Sequence, residues 1–373
     1  MKKVVKFSQI LVGLLFIFSG FVKADDPAGF TIKLQEYFAT DALNMLWLDK
    51  FSFVIAFTIS IVEMTLGFMI LLGARKKLTL TLLVLMEVFF TFLTWYTAHY
   101  NKVLECGCFG DAIPMTSWQS FWKNIVLLVF VFILVIGNKH ITSLFKGAFQ
   151  NVLVILFLAG STYFSYYCYN YLPMLDFRPY KIGTDIKKAM QGTPDINKFY
   201  YTLKNKKSGV TKEFDKFPDN YQNDWTYIGS RTETVSKGIE PKIKDFSIST
   251  LTDRDVTDSL LSIPGSQFLL AYYNIEETSI DKETVKKINA LAANCIKNHV
   301  GFICLTNSGA DQIALYQQQY HPPYSFYETD GTVLQTMIRS DPGLVLIKNG
   351  VVQAMWHYHS IPSYAEVAAN YIH

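Results

Sequence analysis

The sequence predicts a membrane α-helical bundle followed by a water-soluble α/β domain. Three observations predict this. Apolar residues make up 50% of the 373-residue chain and are concentrated in the first 170 positions. Basic residues alternate with acidic ones between successive apolar runs in the way membrane loops do. From about residue 242 onward, short apolar runs of strand length alternate with stretches of helical periodicity.

Five windows reach the length of about 20 apolar residues that a bilayer core requires. They cover roughly 7–23, 51–73, 78–98, 119–137 and 148–168. The second, "FSFVIAFTISIVEMTLGFMILLG", carries Glu63 as its single charge. The first has a basic start, an apolar middle and a small-residue ending before Asp25. That outline fits a cleavable signal peptide as well as a retained span, and either choice leaves every later loop on the same side.

Orientation follows the basic residues. Lys2, Lys3 and Lys6 precede the first span, Arg75, Lys76 and Lys77 fill the second turn, and Lys139 and Lys146 flank the fourth. These segments read as cytoplasmic. The loop 24–50, with Asp25, Asp26, Glu36, Asp41 and Asp49, reads as external, and so do 99–117 and everything after about 168. Trp47, Trp95, Trp118 and Trp122 lie near the external ends, where amphipathic rings favour the headgroup zone. Lys23, at the external edge of the first span, reads as a residue that snorkels to the headgroups and does no more. In a bacterium this topology means a multi-pass protein of the inner membrane with a periplasmic C-terminal domain.

Three regions follow: a transmembrane domain at 1–170, a small β-containing periplasmic connector at 171–240, and a C-terminal domain at 241–373. In the connector, "KFYYTLKNKKSGVTKEF" alternates around a Ser-Gly turn and reads as a hairpin. In the C-terminal domain, "SQFLLAYYN" and "VGFICLT" are buried strands, each followed by a helix pattern. "YSFYE" is a short strand, "GLVLIKNGVVQAMWHY" a hairpin closed by Asn349-Gly350, and "SYAEVAANYI" a last helix.

That order resembles the thioredoxin fold. "IRSDPGLVLIKNG" is similar to the loop in which that family carries a proline, often cis, ahead of the hairpin. The resemblance puts Pro342 at that place, with Asp341 before it, and implies a partner-binding role for both. "KDFSISTLTDRDVT" resembles the N-terminal extension of the peroxiredoxin and cytochrome-maturation branch. One departure matters: where the family has Cys-x-x-Cys at a helix N-terminus, which lowers the thiol pKa, this chain reads "NIEETSID" from Asn274 to Asp281. The domain is therefore not expected to catalyse dithiol exchange itself.

The chain has 5 cysteines, and two of them, Cys106 and Cys108, are separated by one glycine in "LECGCFGDAIP". On an oxidising face three readings stay open. A disulfide across one residue closes a small ring that contributes little stability and reduces easily, which suits a redox-active pair. A structural disulfide and a metal site with His99 and Asp111 are the others; the metal set lacks a recognised spacing, and no metal ligand is assigned. Cys168, at the external end of the fifth span, reads either as a resolving thiol for that pair or as a buried structural one. Cys295 and Cys304 read as small buried hydrophobes.

Roughly residues 7–140 resemble the DoxX-like superfamily, and within it the MauE branch. "LVGLLFIFSGFVKADDPAGF", "SIVEMTLGFMILLG" and the "CGCFGD" loop carry the likeness. It implies a four-helix membrane bundle, here with a fifth span and a degenerate thioredoxin-like domain added, and it favours retention of the first span. It also implies a link to disulfide formation in a periplasmic protein. A fusion of this kind resembles proteins of Bacteroides-type bacteria.

Glu63 and Glu87 fall near the middle of the second and third spans, where a carboxylate costs about 2.5–3.5 kcal/mol on insertion scales. They read either as a proton relay or polar anchor for a lipid-soluble carrier such as quinone, or as interhelical hydrogen-bonding groups reaching Thr65, Thr91 or Thr94. No residue pattern identifies a quinone site, and no cofactor is assigned. A net charge of +3, explained by topology, argues against nucleic acid. No phosphate loop, nucleophile elbow or zincin motif occurs. Two functions remain: an inner-membrane thiol–disulfide redox protein acting on a periplasmic or envelope partner through Cys106 and Cys108, and a non-enzymatic scaffold whose outer domain binds such a protein.

Overall fold

A computed structural model describes residues 1–102, 107, 109–145, 147–276 and 280–372. Among the described residues, five helices are long and apolar enough to cross a membrane: α1 (Lys2–Asp25), the segment Leu46–Leu72 that contains α3 (Ser52–Leu72), α4 (Lys76–Tyr100), α5 (Ser117–Ile136) and α6 (Ala148–Tyr171). Between the first two lies α2 (Pro27–Phe38), which the sequence reading left as loop. Its signal was present: Asp26 caps the Gly29 amide and Pro27 occupies the first turn.

Close backbone approach holds α1 against α3. A Cβ on Gly20 would lie 2.6 Å from the Met64 nitrogen and 2.8 Å from the Ser60 carbonyl oxygen. One on Gly67 would lie 2.7 Å from the Gly13 oxygen and 2.7 Å from the Ile17 nitrogen. Small residues serve here as they do between membrane helices generally, where packing replaces the hydrophobic effect as the driving force. Val12, Phe16, Ile70, Leu83, Val131 and Leu134 fill the space between α1, α3, α4 and α5. A left-handed Gly73 ends α3, and a Thr116–Gln119 capping box starts α5.

After α6 the chain turns through α7 (Ile186–Ala189) into β1 (Ile196–Asn205), β2 (Thr211–Phe214), α8 (Tyr221–Asp224) and β3 (Trp225–Ser236). The last three strands form an antiparallel sheet in the order β2-β1-β3, with β1 and β2 joined across the Ser-Gly turn. Tyr180 and Ile186 do not pack with that sheet. They join Ile243, Phe246 and Ile248 in the core of the C-terminal domain.

That domain contains α9 (Thr257–Leu261), β4 (Ser266–Tyr272), α10 (Lys282–Lys297), β5 (Gly301–Thr306), α11 (Ala310–Tyr320), β6 (Ser325–Glu328), α12 (Gly331–Met337), β7 (Gly343–Lys348), β8 (Val351–His357) and α13 (Tyr364–Asn370). Its five-stranded sheet has the order β6-β5-β4-β7-β8. β4, β5 and β6 run parallel, while β7 and β8 are antiparallel additions. This is the thioredoxin-like arrangement. Cores cover both faces, one under α10 and α11, the other under α9 and α12. The Asp341–Pro342 peptide is cis, and Asn349 and Gly350 both take left-handed φ in the β7–β8 turn.

The tight α1–α3 contact gives a direct test. Gly67→Ala is expected to destabilise the bundle by about 1–3 kcal/mol through overpacking. Gly160→Ala on α6, with open space around it, should be neutral. Thermal aggregation of the detergent-solubilised protein, followed by size exclusion, checks the difference.

Candidate functional site

Three charged residues at the end of α1, Lys23, Asp25 and Asp26, build the site. The first corrects the expectation for Lys23. It is 5% exposed, and its Nζ donates to Glu63 Oε2 and to Ser19 Oγ, each at 2.7 Å. A cation within the bundle with a carboxylate one helix away pairs with it rather than reaching for headgroups, because an unpaired charge in apolar surroundings is far more costly. Phe30 and Phe90 add their ring faces at 5.6 and 5.3 Å. Glu63 is thus the ion-pair partner of Lys23. Thr94, one of the threonines considered for the carboxylates, accepts from Asn124 Nδ2 at 3.2 Å.

Glu87 differs from Glu63. It is 2% exposed, and its Oε1 has no hydrogen-bond partner among the described residues. Lys23, Glu63, Glu87 and Asn124 line one cavity of about 320 Å3 whose remaining wall is mostly aliphatic and aromatic.

The second is Asp25. Its Oδ1 accepts the Met174 amide at 2.9 Å and the Leu175 amide at 3.2 Å, tying the start of the connector to α1. Cys168 Sγ donates to the same oxygen at 3.6 Å and is buried.

The third is Asp26, which caps α2 and receives Arg339 Nε at 2.9 Å from the C-terminal domain. Arg339 also faces Asp111 at 3.6 Å. These residues line a cleft with Lys33, Phe109 and Gly107. Cys106 and Cys108 lie outside the described residues. Gly107, which separates them in sequence, sits in this cleft with φ +62°, next to the Lys33 side chain. His99 stacks on Trp95, with ring centroids 5.5 Å apart.

The loop carrying Pro342 faces the bundle. Arg339 stands on its near side, and Asp341 lines a second cleft with Thr31, Phe53 and Tyr169 of the bundle and His357 and His359 of the domain. Pro342 is buried. Asp341 Oδ1 accepts the Tyr273 amide at 2.9 Å, and Ser340 Oγ donates to the Pro342 carbonyl at 2.6 Å, so the loop is internally braced. At the place where the thioredoxin family has its dithiol, Asn274–Glu276 and Ile280–Asp281 are described and 277–279 are not. Asp281 serves as the N-cap of α10. Cys295 and Cys304 are buried thiols; burial pushes the first up to about 12 and the second well above its ordinary value. Burial thus disfavours the thiolate, the nucleophilic form, in both.

The geometry defines a class: a helical membrane bundle whose loop end is capped by a thioredoxin-like domain lacking its own dithiol. Residues 1–137 match the family model described as Methylamine utilisation protein MauE. The N-terminal domain is therefore a MauE-family membrane domain, and the chain is a multi-pass membrane protein. The chain is also 34% identical over 136 residues to Protein TlpB of Flavobacterium psychrophilum, a match covering 34% of this chain and 35% of that protein. It thus spans about a third of the relative's length. No solved structure matches.

Sequence reasoning missed Arg339, whose partner lies 313 positions away, and it misread Lys23. No local pattern marks a pair at that separation. Asp26 was detectable as the cap before Pro27.

Two predictions follow from this geometry. Arg339→Gln should remove the cation that pairs with Asp26 and loosen the domain from the bundle, at a cost of roughly 3 kcal/mol. Spin labels on α4 and α13 would report it as a broadened distance distribution, which Asp26→Asn alone should reproduce in part. His357 is pushed down to about 4 by burial and by neighbouring His359, and its Nδ1 accepts the His359 amide. Because the folded state binds this proton less readily than the unfolded chain, the stability it protects is complete above about pH 6.5 and is lost as pH falls towards 4. His357→Gln should flatten that part of the denaturant midpoint against pH.

Proposed function

We propose that this is a bacterial inner-membrane thiol–disulfide oxidoreductase that exchanges electrons through Cys106 and Cys108 with a periplasmic or envelope protein. The observation that carries the reading is the position of Gly107 in a cleft closed by Arg339 of the thioredoxin-like domain. The MauE-family match supports it. The C-terminal domain lies on the periplasmic side and positions the partner beside the cysteine segment. Asp341, at the mouth of the second cleft, contributes to that surface, and buried Pro342 shapes the loop behind it. Cys168, buried against Asp25, is a structural thiol in this scheme.

In the exchange, a thiolate of the pair attacks a partner disulfide, or the partner's thiolate attacks the Cys106–Cys108 disulfide. A mixed disulfide links the proteins until the second thiol displaces it. Single variants Cys106→Ser and Cys108→Ser are expected to accumulate that mixed disulfide in intact cells. Non-reducing electrophoresis with thiol trapping checks it.

The second reading, a scaffold whose outer domain binds an envelope protein without chemistry, is favoured by the absence of cysteine among Asn274–Asp281. A pair that stays permanently oxidised or reduced across a reductant series, together with a stoichiometric partner retained by the Cys106→Ser/Cys108→Ser double variant, would select it.

A further inference from the structure

The cavity between α1, α3, α4 and α5 has features that a structural packing defect does not require. Its volume of about 320 Å3 falls at the small end of ligand pockets, roughly 300–1,000 Å3. Phe16, Leu34, Phe90, Leu93 and Leu127 supply apolar walls suited to a flat hydrophobic ring. Lys23 and Glu87 line the same space, and Lys23, Glu63 and Lys123 all interact electrostatically with Glu87. The Oε1 atom of Glu87 is buried and has no hydrogen-bond partner among the described residues, which leaves a polar position for a ligand to fill.

A second, independent observation concerns access. Lys23, Phe30 and Phe109 line both this cavity and the cleft that holds Gly107. The cleft that holds Gly107 and the intramembrane cavity therefore share a wall.

We infer that this cavity binds the ring of a membrane quinone, with Lys23 and Glu87 serving its carbonyl oxygens, and that the quinone accepts the electrons of the Cys106–Cys108 dithiol. This rests on the thiol–disulfide reading above. Oxidation breaks two S–H bonds, forms one S–S bond and releases two electrons and two protons. A quinone takes up both pairs, its two C=O groups becoming C–OH. Lys23 donates a hydrogen bond to the oxygen on which charge develops. Glu87 supplies a proton to the ring and recovers one from the pair released at the thiols. The protein would thereby generate its disulfide from lipid-dissolved oxidant and pass it to its partner.

The experiment uses the full chain in phospholipid nanodiscs with a photoreactive azido-ubiquinone analogue, followed by quinol formation from decyl-ubiquinone with the reduced protein. Label is expected on peptides of α1, α3 and α4, and it should survive in the Cys106→Ser/Cys108→Ser double variant. Filling the cavity by Leu93→Trp should cut labelling at least about tenfold. Leu34→Trp, from α2, provides the same test should the first variant not fold. Glu87→Gln should slow quinol formation by about a hundredfold, the usual contribution of a placed proton donor.

Wild-type protein that takes no label overturns the inference, and it leaves the exchange reading standing if mixed disulfides are still trapped. Label displaced as readily by oleate as by unlabelled quinone makes the cavity a lipid site and overturns it too. Label on the cavity without quinol formation or trapped partners overturns the exchange reading and the acceptor role together, while the binding site stands.

Discussion

Four residues at the end of the first membrane helix, Lys23-Ala24-Asp25-Asp26, carry the constraint on which the rest of the structure depends. A charge at the edge of a hydrocarbon layer must be paired or hydrated, and here the three charged groups are paired in three directions. Lys23 turns inward to Glu63 on α3. Asp25 holds the amides of Met174 and Leu175, where the chain leaves the last span. Asp26 starts α2 and engages Arg339 from the C-terminal domain. Ala24 between them is fully buried. Bundle, connector and thioredoxin-like domain therefore meet at one turn of helix, and the orientation of the domain over the bundle follows from charge pairing as much as from apolar contact.

The legible parts of the fold were those written in local periodicity. Five apolar windows became five long helices, and strand-length apolar runs separated by helical patterns became the five-stranded sheet. The Asn349-Gly350 turn was readable because few other residue pairs tolerate two consecutive left-handed positions. What could not be read was non-local. A lysine at a span's edge snorkels unless a carboxylate on another helix is within reach, and only the α1–α3 packing through Gly20 and Gly67 brings Glu63 there. Arg339 looks like an ordinary surface cation until Asp26 and Asp111 are seen beneath it. The candidate site was half legible for the same reason: its residue types stood out, but their partners did not.

The thioredoxin-like domain shows what the fold keeps without the Cys-x-x-Cys dithiol. Its cis-proline loop is braced from inside by Tyr273, Ser340 and Tyr358, through bonds that need no dithiol nearby. Its cysteines are packed as apolar side chains, and burial disfavours ionisation of their thiols. The loop end of the domain, which in a dithiol enzyme faces a partner, here presents Arg339 to the bundle. In the proposed exchange such a domain would orient the neighbouring cysteine segment, and the chemistry would fall to that segment.

That division bears on where reactivity in the proposed exchange would originate. A cysteine is commonly activated by a nearby unpaired cation or a helix N-terminus that stabilises its thiolate. The cleft around Gly107 has basic groups, but each is committed: Lys23 to Glu63, Lys33 to Glu36, Arg178 to Asp176, and Arg339 to Asp26 and Asp111. Paired charges create little net field, so thiolate stabilisation is a weak source of activation here. The other source is the covalent arrangement. Two cysteines separated by one residue close a ring too short to relax, so their disulfide yields to an attacking thiol more readily than one spanning a long loop. Gly107, already at positive φ, lowers the backbone cost of bringing the two sulfurs together. In the proposed exchange the pair would therefore act as an oxidant by virtue of its spacing, with little contribution from the charges that line the cleft of Gly107.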